Sequence, residues 1–221
     1  MYSIDLAQIS LDEFEELLRT TDLTPGRRIL LNDLGGMMSR LKQGGIADMA
    51  GLQKLLKNKK QYPALAAQFQ VDADYLTVLN REVNSYAAKS VPLNKWDVFS
   101  ASELAQLAAA GIQSSQELYE ACLTPSNRQA LAECLHLPPS KLRAALELSD
   151  LVRINGVGPV YAQILREIGI HRTGDYQATA SEEILTRYLK IAAEKGYPKI
   201  SLKDVEYCKR FCRKLASEIE W

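Results

Sequence analysis

The sequence predicts an all-α protein of about ten short helices and no sheet, built on a helical unit used about three times. Three observations carry this. Helix-capping pairs recur along the chain. Glycines fall just past apolar-periodic runs. No segment of useful length alternates apolar and polar residues with period two.

The elements follow from that punctuation. Ser10 with Glu13, Ser100 with Glu103, Ser114 with Glu117 and Thr179 with Glu182 have capping-box spacing, in which the hydroxyl accepts from the N–H three residues on and the carboxylate reaches back. Thr24-Pro25 and Thr124-Pro125 place a capping residue before a proline at the first helical position. Gly45, Gly111 and Gly169 stand where a left-handed C-cap is wanted. Displacing the chain by 66 residues puts Met38 on Leu104, Leu41 on Leu107, Gly45-Ile46 on Gly111-Ile112, Leu52 on Leu118, Leu65 on Leu131 and Leu76 on Leu142. A further displacement of 58 puts Gly111-Ile112 on Gly169-Ile170, Leu107 on Leu165 and Leu118 on Tyr176. Ala87-Ala-Lys-Ser-Val-Pro92 reads as a linker, which predicts an N-terminal helical domain over 1–88 and a C-terminal domain over 89–221.

Composition bounds the function. At 221 residues and 47% hydrophobic, the chain is long enough for one large domain or two small ones and too apolar for bulk disorder. No stretch approaches the roughly 18 apolar residues of a membrane span, so no membrane partner is expected. Met1 to Gln8 has neither a basic nor an apolar leader region, so a cytoplasmic setting with reduced thiols is expected. The 27 basic and 27 acidic side chains cancel, which argues against nucleic-acid binding by bulk attraction. The zero is a sum of blocks, however. Residues 1–24 are acidic, 25–60 basic (including Lys54, Lys57, Lys59 and Lys60), 61–186 acidic and 187–221 basic. The two basic blocks could face a polyanion or be solvated faces.

Cysteine and histidine carry little chemistry. Cys122, Cys134, Cys208 and Cys212 form no C-x-x-C, and only His136 and His171 could join them, so no metal site is expected. Cys208 and Cys212 are one helical turn apart, either a regulatory thiol pair or two small core side chains. With Tyr207, Phe211 and Leu215 they make an apolar stripe for core packing or a partner helix. Lys203, Lys209, Arg210, Arg213 and Lys214 lie on and beside the other face. Trp96 and Phe99 read as a hydrophobic plug rather than a base-stacking platform. Asn84 and Tyr86 are candidates to bridge the two halves.

The sharpest local signal is Leu151-Val-Arg-Ile-Asn-Gly-Val-Gly-Pro-Val-Tyr-Ala-Gln-Ile-Leu165. A helix should end near Arg153, Ile154 to Gly158 should reverse the chain, and Pro159 should open the next helix. Gly156 and Gly158 can take positive φ. Val157 would plug the groove between the helices, Ala162 would allow close approach, and Ile164, Leu165 and Ile168 would supply the buried stripe. The pattern resembles a helix-hairpin-helix motif, and with the displaced copies it makes the expected fold one of tandem helix-hairpin-helix-like repeats. The resemblance implies backbone N–H groups offered to a nucleic-acid phosphate, reinforced by the helix dipole and blind to sequence. The implied binding residues are Gly156, Val157 and Gly158, with Arg153, Arg166 and Arg172 as the nearest bases. The match is not full. Phosphate-binding versions carry Lys or Arg just after the second glycine, where this chain has Pro159, Val160 and Tyr161. In the two displaced copies, Val98-Phe99-Ser100 and Asn32-Asp33-Leu34 lack the glycine pair.

An enzyme is not expected. Base-excision glycosylases with this hairpin place a catalytic lysine where Val160 stands, and Asp175 lies in a turn-like stretch. No P-loop, dinucleotide fingerprint, nucleophile elbow or cofactor motif occurs. Over its length the chain resembles the domain of unknown function 4332, on Tyr2 to Leu11, Asp22 to Leu30, Tyr75 to Tyr86 and Asp150 to Ile170. That resemblance implies an all-helical fold, a bacterial cytoplasmic setting and no established activity. The expected function is non-catalytic, sequence-independent binding to the DNA backbone. The alternative is a protein-interaction or scaffold module in which the hairpin only packs helices.

Overall fold

The structure is a computed structural model that describes Met1–Trp221. It holds thirteen α-helices: α1 (Leu11–Thr20), α2 (Leu34–Gln43), α3 (Met49–Leu56), α4 (Tyr62–Phe69), α5 (Ala73–Ser85), α6 (Ala101–Ala109), α7 (Ser115–Ala121), α8 (Pro125–Cys134), α9 (Pro139–Leu151), α10 (Pro159–Glu167), α11 (Thr173–Ala178), α12 (Ser181–Lys195) and α13 (Leu202–Cys212). Four short 3-10 helices join them. The all-α class is as the sequence predicts, with more helices than expected because several are under ten residues long. Strand-like pairing is confined to two isolated bridges, Ser10 with Asp48 and Pro92 with Ser114.

The chain divides into two compact units. One is Asp5–Ala87; the other is Ala88–Trp221 together with Met1–Ile4. The first four residues therefore belong with the C-terminal part, which a linker reading of residues 87–92 does not reveal. Their attachment is specific. Tyr2 is 4% exposed, its hydroxyl lies 2.6 Å from Ser115 Oγ, and its ring meets Tyr119 edge-on at 5.4 Å.

In the Asp5–Ala87 unit, α3 and α4 pack on α5, and α1 packs on α2. Phe14, Leu17, Leu18, Met37, Met38, Leu41, Leu52, Leu76, Leu79 and Val83 are all fully buried. They recur at helical spacing, so each helix turns one apolar stripe inward. In the other unit α9 is central and touches α7, α8 and α10. Every residue of α9 from Ala145 to Leu151 is buried, including Glu147, Ser149 and Asp150. A helix covered on all sides must satisfy its polar side chains internally. Trp96 and Phe99 are buried in this unit's core, as the plug reading requires.

The three C-cap glycines share one geometry. Gly45, Gly111 and Gly169 have φ of 82°, 80° and 85°. The isoleucine after each returns its N–H to a leucine carbonyl five residues back: Ile46 to Leu41, Ile112 to Leu107 and Ile170 to Leu165, at 3.1, 2.8 and 2.8 Å. This closes the helix with a left-handed residue, which only glycine adopts at little cost. The next helix begins four residues beyond each glycine, at Met49, Ser115 and Thr173.

The expected capping boxes fared unequally. Ser10 accepts from Glu13 N at 3.1 Å, and the Ser100–Glu103 box is complete. At Ser114 the carboxylate of Glu117 accepts from the cap N–H at 2.9 Å. The Thr179–Glu182 reading is off by one residue: α12 takes Ala180 as its cap, and the Thr179 hydroxyl instead donates to Asp175 O at 2.8 Å. Ser201 with Asp204 forms a further complete box, opening α13.

Candidate functional site

The turn 152–158 joins α9 to α10 as the sequence indicates. α9 ends at Leu151, and Pro159 opens α10. Only one of the two glycines needs its freedom. Gly156 has φ 95°, whereas Gly158 has φ −86° and ψ 176°, extended backbone open to any residue. The space around them differs too. A methyl built at Gly156 would stand 2.8 Å from Cys208 Sγ and 3.5 Å from the ring of Tyr207, while one at Gly158 would meet nothing within 4 Å. Both glycines are exposed, but Gly156 is the one against which α13 packs, and Gly158 is the one with open space where a side chain would stand.

Val157 is 6% exposed, and its N–H already donates to Ile154 O at 2.9 Å. Its amide therefore serves the turn and is not offered to a ligand. Ala162, Ile164 and Leu165 are buried, and Ile168 is half-buried, which fits the packing stripe expected of them. The first turn of α10 is a different matter. No side chain caps it, and Gly158 and Val160 are exposed. The first N–H groups of a helix have no partner within it, so those of Val160 and Tyr161 point out with the positive end of the dipole behind them.

The three arginines expected beside the glycines are placed elsewhere. Arg153 is 1% exposed. Its guanidinium donates to Asp150 Oδ1 at 2.6 Å, Tyr2 O at 2.9 Å and Ala216 O at 2.8 Å, and lies 4.4 Å over the Tyr119 ring. It is a core residue with nothing left for a phosphate, and its expected binding role is corrected. Arg166 is eight residues along α10 from Gly158, about 12 Å at 1.5 Å per residue, and donates to Glu147 Oε2 at 3.0 Å. Arg172 lies beyond it, 3.5 Å from Asp175 and 5.2 Å from the Trp221 ring. One helix length separates the glycines from these two bases, so the six residues do not form one site.

The helix that borders the turn is α13. Its Tyr207 lies against Gly156, and Lys203 and Arg210, four residues before and three after, continue the same stripe of the helix. Sequence reasoning set these bases apart as the outer face of α13 without linking them to the turn. The link needs a contact across some fifty residues, which no local pattern encodes. Lys209, grouped with them in the sequence, is 7% exposed and donates to Thr179 O, so it leaves the outer face.

The remaining candidates resolve into structure. Cys208 and Cys212 are buried, and burial pushes both thiols up to about 12. Thiols held protonated away from solvent are inert, and Cys212 Sγ lies 3.2 Å from Thr173 O. No three His, Cys, Asp or Glu side chains converge where they could share a metal ion. No helix is long and apolar enough to cross a membrane. Asn84 bonds within its own unit, accepting from Gln53 Nε2 at 2.9 Å. Asp175 lies in α11, not in a turn, and its carboxylate accepts from the N–H groups of His171 and Arg172.

An all-helical protein with an uncapped helix start beside a further packed helix is the class these features define. Residues 97–216 match the family model described as Domain of unknown function (DUF4332), more than half of the chain, and the protein belongs to that family. Of the four stretches that carry the resemblance in the sequence, Asp150 to Ile170 lies inside the match and the other three lie before it. Comparison with curated proteins and with solved structures gives no match.

Proposed function

We propose that this protein binds the phosphate backbone of nucleic acid without catalysis and without reading sequence, using a helix-hairpin-helix formed by α9, the 152–158 turn and α10. The observation that carries the reading is the open start of α10. Gly158 has free space around it and no side chain caps the helix, so the first-turn N–H groups, which have no partner within a helix, remain for a ligand. That is the arrangement by which a helix N-terminus holds an anion. Lys203, exposed on the stripe of α13 that carries Tyr207, adds a positive charge on the helix beside the turn that Arg153, Arg166 and Arg172 do not. Contacts of this kind position a duplex and carry no sequence information. A cytoplasmic setting and DNA as the partner belong to the same proposal.

Gly158→Asp tests it. Aspartate is at least as good a cap as glycine and fits the extended backbone of this position, so the melting temperature should hold or rise. The added carboxylate occupies and repels the anion site, so affinity for a duplex at low salt should fall at least tenfold. Wild-type affinity should itself fall steeply between about 50 and 200 mM salt. No duplex binding by the wild type at low salt, or unchanged binding by the variant, overturns the reading. The protein-interaction alternative would then stand, with the hairpin serving only to seat α13 on Gly156.

A further inference from the structure

The Asp5–Ala87 unit carries a second basic feature, independent of the hairpin. Ala50, Gln53, Lys54 and Lys57 of the α3 segment face Asn80 and Asn84 of α5 across an open groove of about 520 Å³. Its lining is polar, and its charges have one sign. The ion pairs of this unit take Arg19, Arg27, Arg28, Arg40 and Lys42. Lys54 and Lys57 have none, and neither do Lys59 and Lys60 just beyond. All four lysines are exposed.

The wall opposite is a chain of amides. Gln53 Nε2 donates to Asn84 Oδ1 at 2.9 Å, and Asn84 Nδ2 donates to Asn80 O at 2.7 Å and Asn80 Oδ1 at 2.9 Å. These bonds hold Gln53 and Asn84 in place and consume both Asn84 amide hydrogens. The Asn80 amide and the second Gln53 N–H keep their donors. A concave surface with two unpaired cations one turn apart and fixed neutral donors between them suits an oxyanion with several acceptor oxygens. A run of phosphates carries several anionic groups and so can engage both lysines at once. The four lysines exceed what the α3 C-terminus asks for, since the dipole of a single helix is equivalent to about half a charge.

We infer that the groove between α3 and α5 is a phosphate-binding site, taking consecutive phosphates of a nucleic-acid backbone or of a free polyphosphate. The unit that holds it lies outside the family match, so the site would belong to this chain rather than to the matched region.

The test uses the full chain with two probes, inorganic tripolyphosphate and a short DNA duplex, and the double variant Lys54→Gln, Lys57→Gln. Both side chains are exposed and unpaired, so folding should be unaffected, which a thermal melt checks. If free polyphosphate is the ligand, tripolyphosphate binding falls at least tenfold in the variant. If a nucleic-acid backbone is the ligand, the slope of log affinity against log salt for the duplex falls by about two, one per lysine. Either result supports the site and names the source. Gly158→Asp should leave both of these changes in place, which separates this inference from the hairpin reading. Wild-type protein that binds neither probe at low salt, or a double variant that binds both as the wild type does, overturns it.

Discussion

Each of the two units buries a carboxylate against an arginine, and they do it to different depths. In the Asp5–Ala87 unit, Arg27 Nη1 reaches Glu82 Oε2 at 2.6 Å, with the carboxylate side chain 4% exposed and the arginine 37%. In the other unit, Asp150 and Arg153 pair at 2.6 Å with side chains 3% and 1% exposed. The shallow pair joins a helix to a 3-10 turn and keeps its cation in water. The deep pair is a junction. Asp150 Oδ2 accepts from Thr173 N at 2.8 Å and Thr173 Oγ1 at 2.9 Å, while Arg153 collects the carbonyls of Tyr2 and Ala216. One buried pair thus holds the N-terminal residues, the end of α9, the start of α11 and the segment after α13. The difference teaches that a buried charge is placed for what it orders. Desolvation roughly cancels the attraction between the charges themselves.

The matched helix starts sharpen that lesson. The N–H of Met49 donates to Ile9 O at 2.9 Å, and that of Ser115 donates to Val91 O at 2.7 Å. The corresponding N–H of Thr173 has no extended segment to meet and goes to the Asp150 carboxylate. A buried charge stands where the other two turns use backbone.

Removing one partner should therefore cost most at the junction. Asp150→Ala leaves Arg153 and the α11 start uncompensated and should lose about 3–5 kcal/mol in urea unfolding. Glu82→Ala strands a half-exposed arginine that water can solvate, and should lose about 1–3 kcal/mol. Equal losses would break the comparison. Within the 152–158 turn, Gly156→Ala combines a left-handed backbone with a 2.8 Å approach to Cys208 and should cost at least about 1–2 kcal/mol. Gly158→Ala, at ordinary φ and in open space, should change stability by less than about 1 kcal/mol, because the poorer N-cap offsets the gain from a stiffer unfolded chain. Equal losses of melting temperature in the two variants would show that the glycines are not divided into a packing residue and one with open space around it.

The smallest effect is a pH limb at the edge of the larger unit. Lys141, first, and the Ser100 N–H hold the Glu103 carboxylate down to about 2 from 4.5. Because the folded value is depressed, its contribution to stability is complete above about 4.5 and is lost as pH falls through about 2. Lys141→Met should move the Glu103 midpoint upward in a carbon-detected NMR titration and shorten that acid limb. An unmoved midpoint would assign the depression to the capping box alone.

Much of the fold is legible locally. A glycine after an apolar run closes a helix whatever surrounds it, so Gly45, Gly111 and Gly169 could be placed without coordinates. Ser-x-x-Glu caps could be placed too, except where Thr179 turns its hydroxyl to the preceding helix and the chain enters α12 one residue later. The turn between α9 and α10 was legible for the same reason. The site was less so. Arg153, Arg166 and Arg172 were grouped with the glycines because they are near in sequence, but a helix carries two of them to its far end and folds the third into the core.

The sequence by itself determined the helical class, the helix ends and the turn at Gly156 to Gly158, because caps and backbone freedom depend on a few adjacent residues. Only the tertiary structure decided which arginine is buried, which glycine has a neighbour where its side chain would stand and which helix borders the turn. Those outcomes depend on contacts between residues far apart in the chain. Arg153 meets the first residues of the chain, and Tyr207 lies against Gly156. No local pattern records either encounter. Burial then settles the chemistry, since a guanidinium enclosed by carbonyls and a carboxylate holds the structure together, whereas a helix start left open can hold an anion.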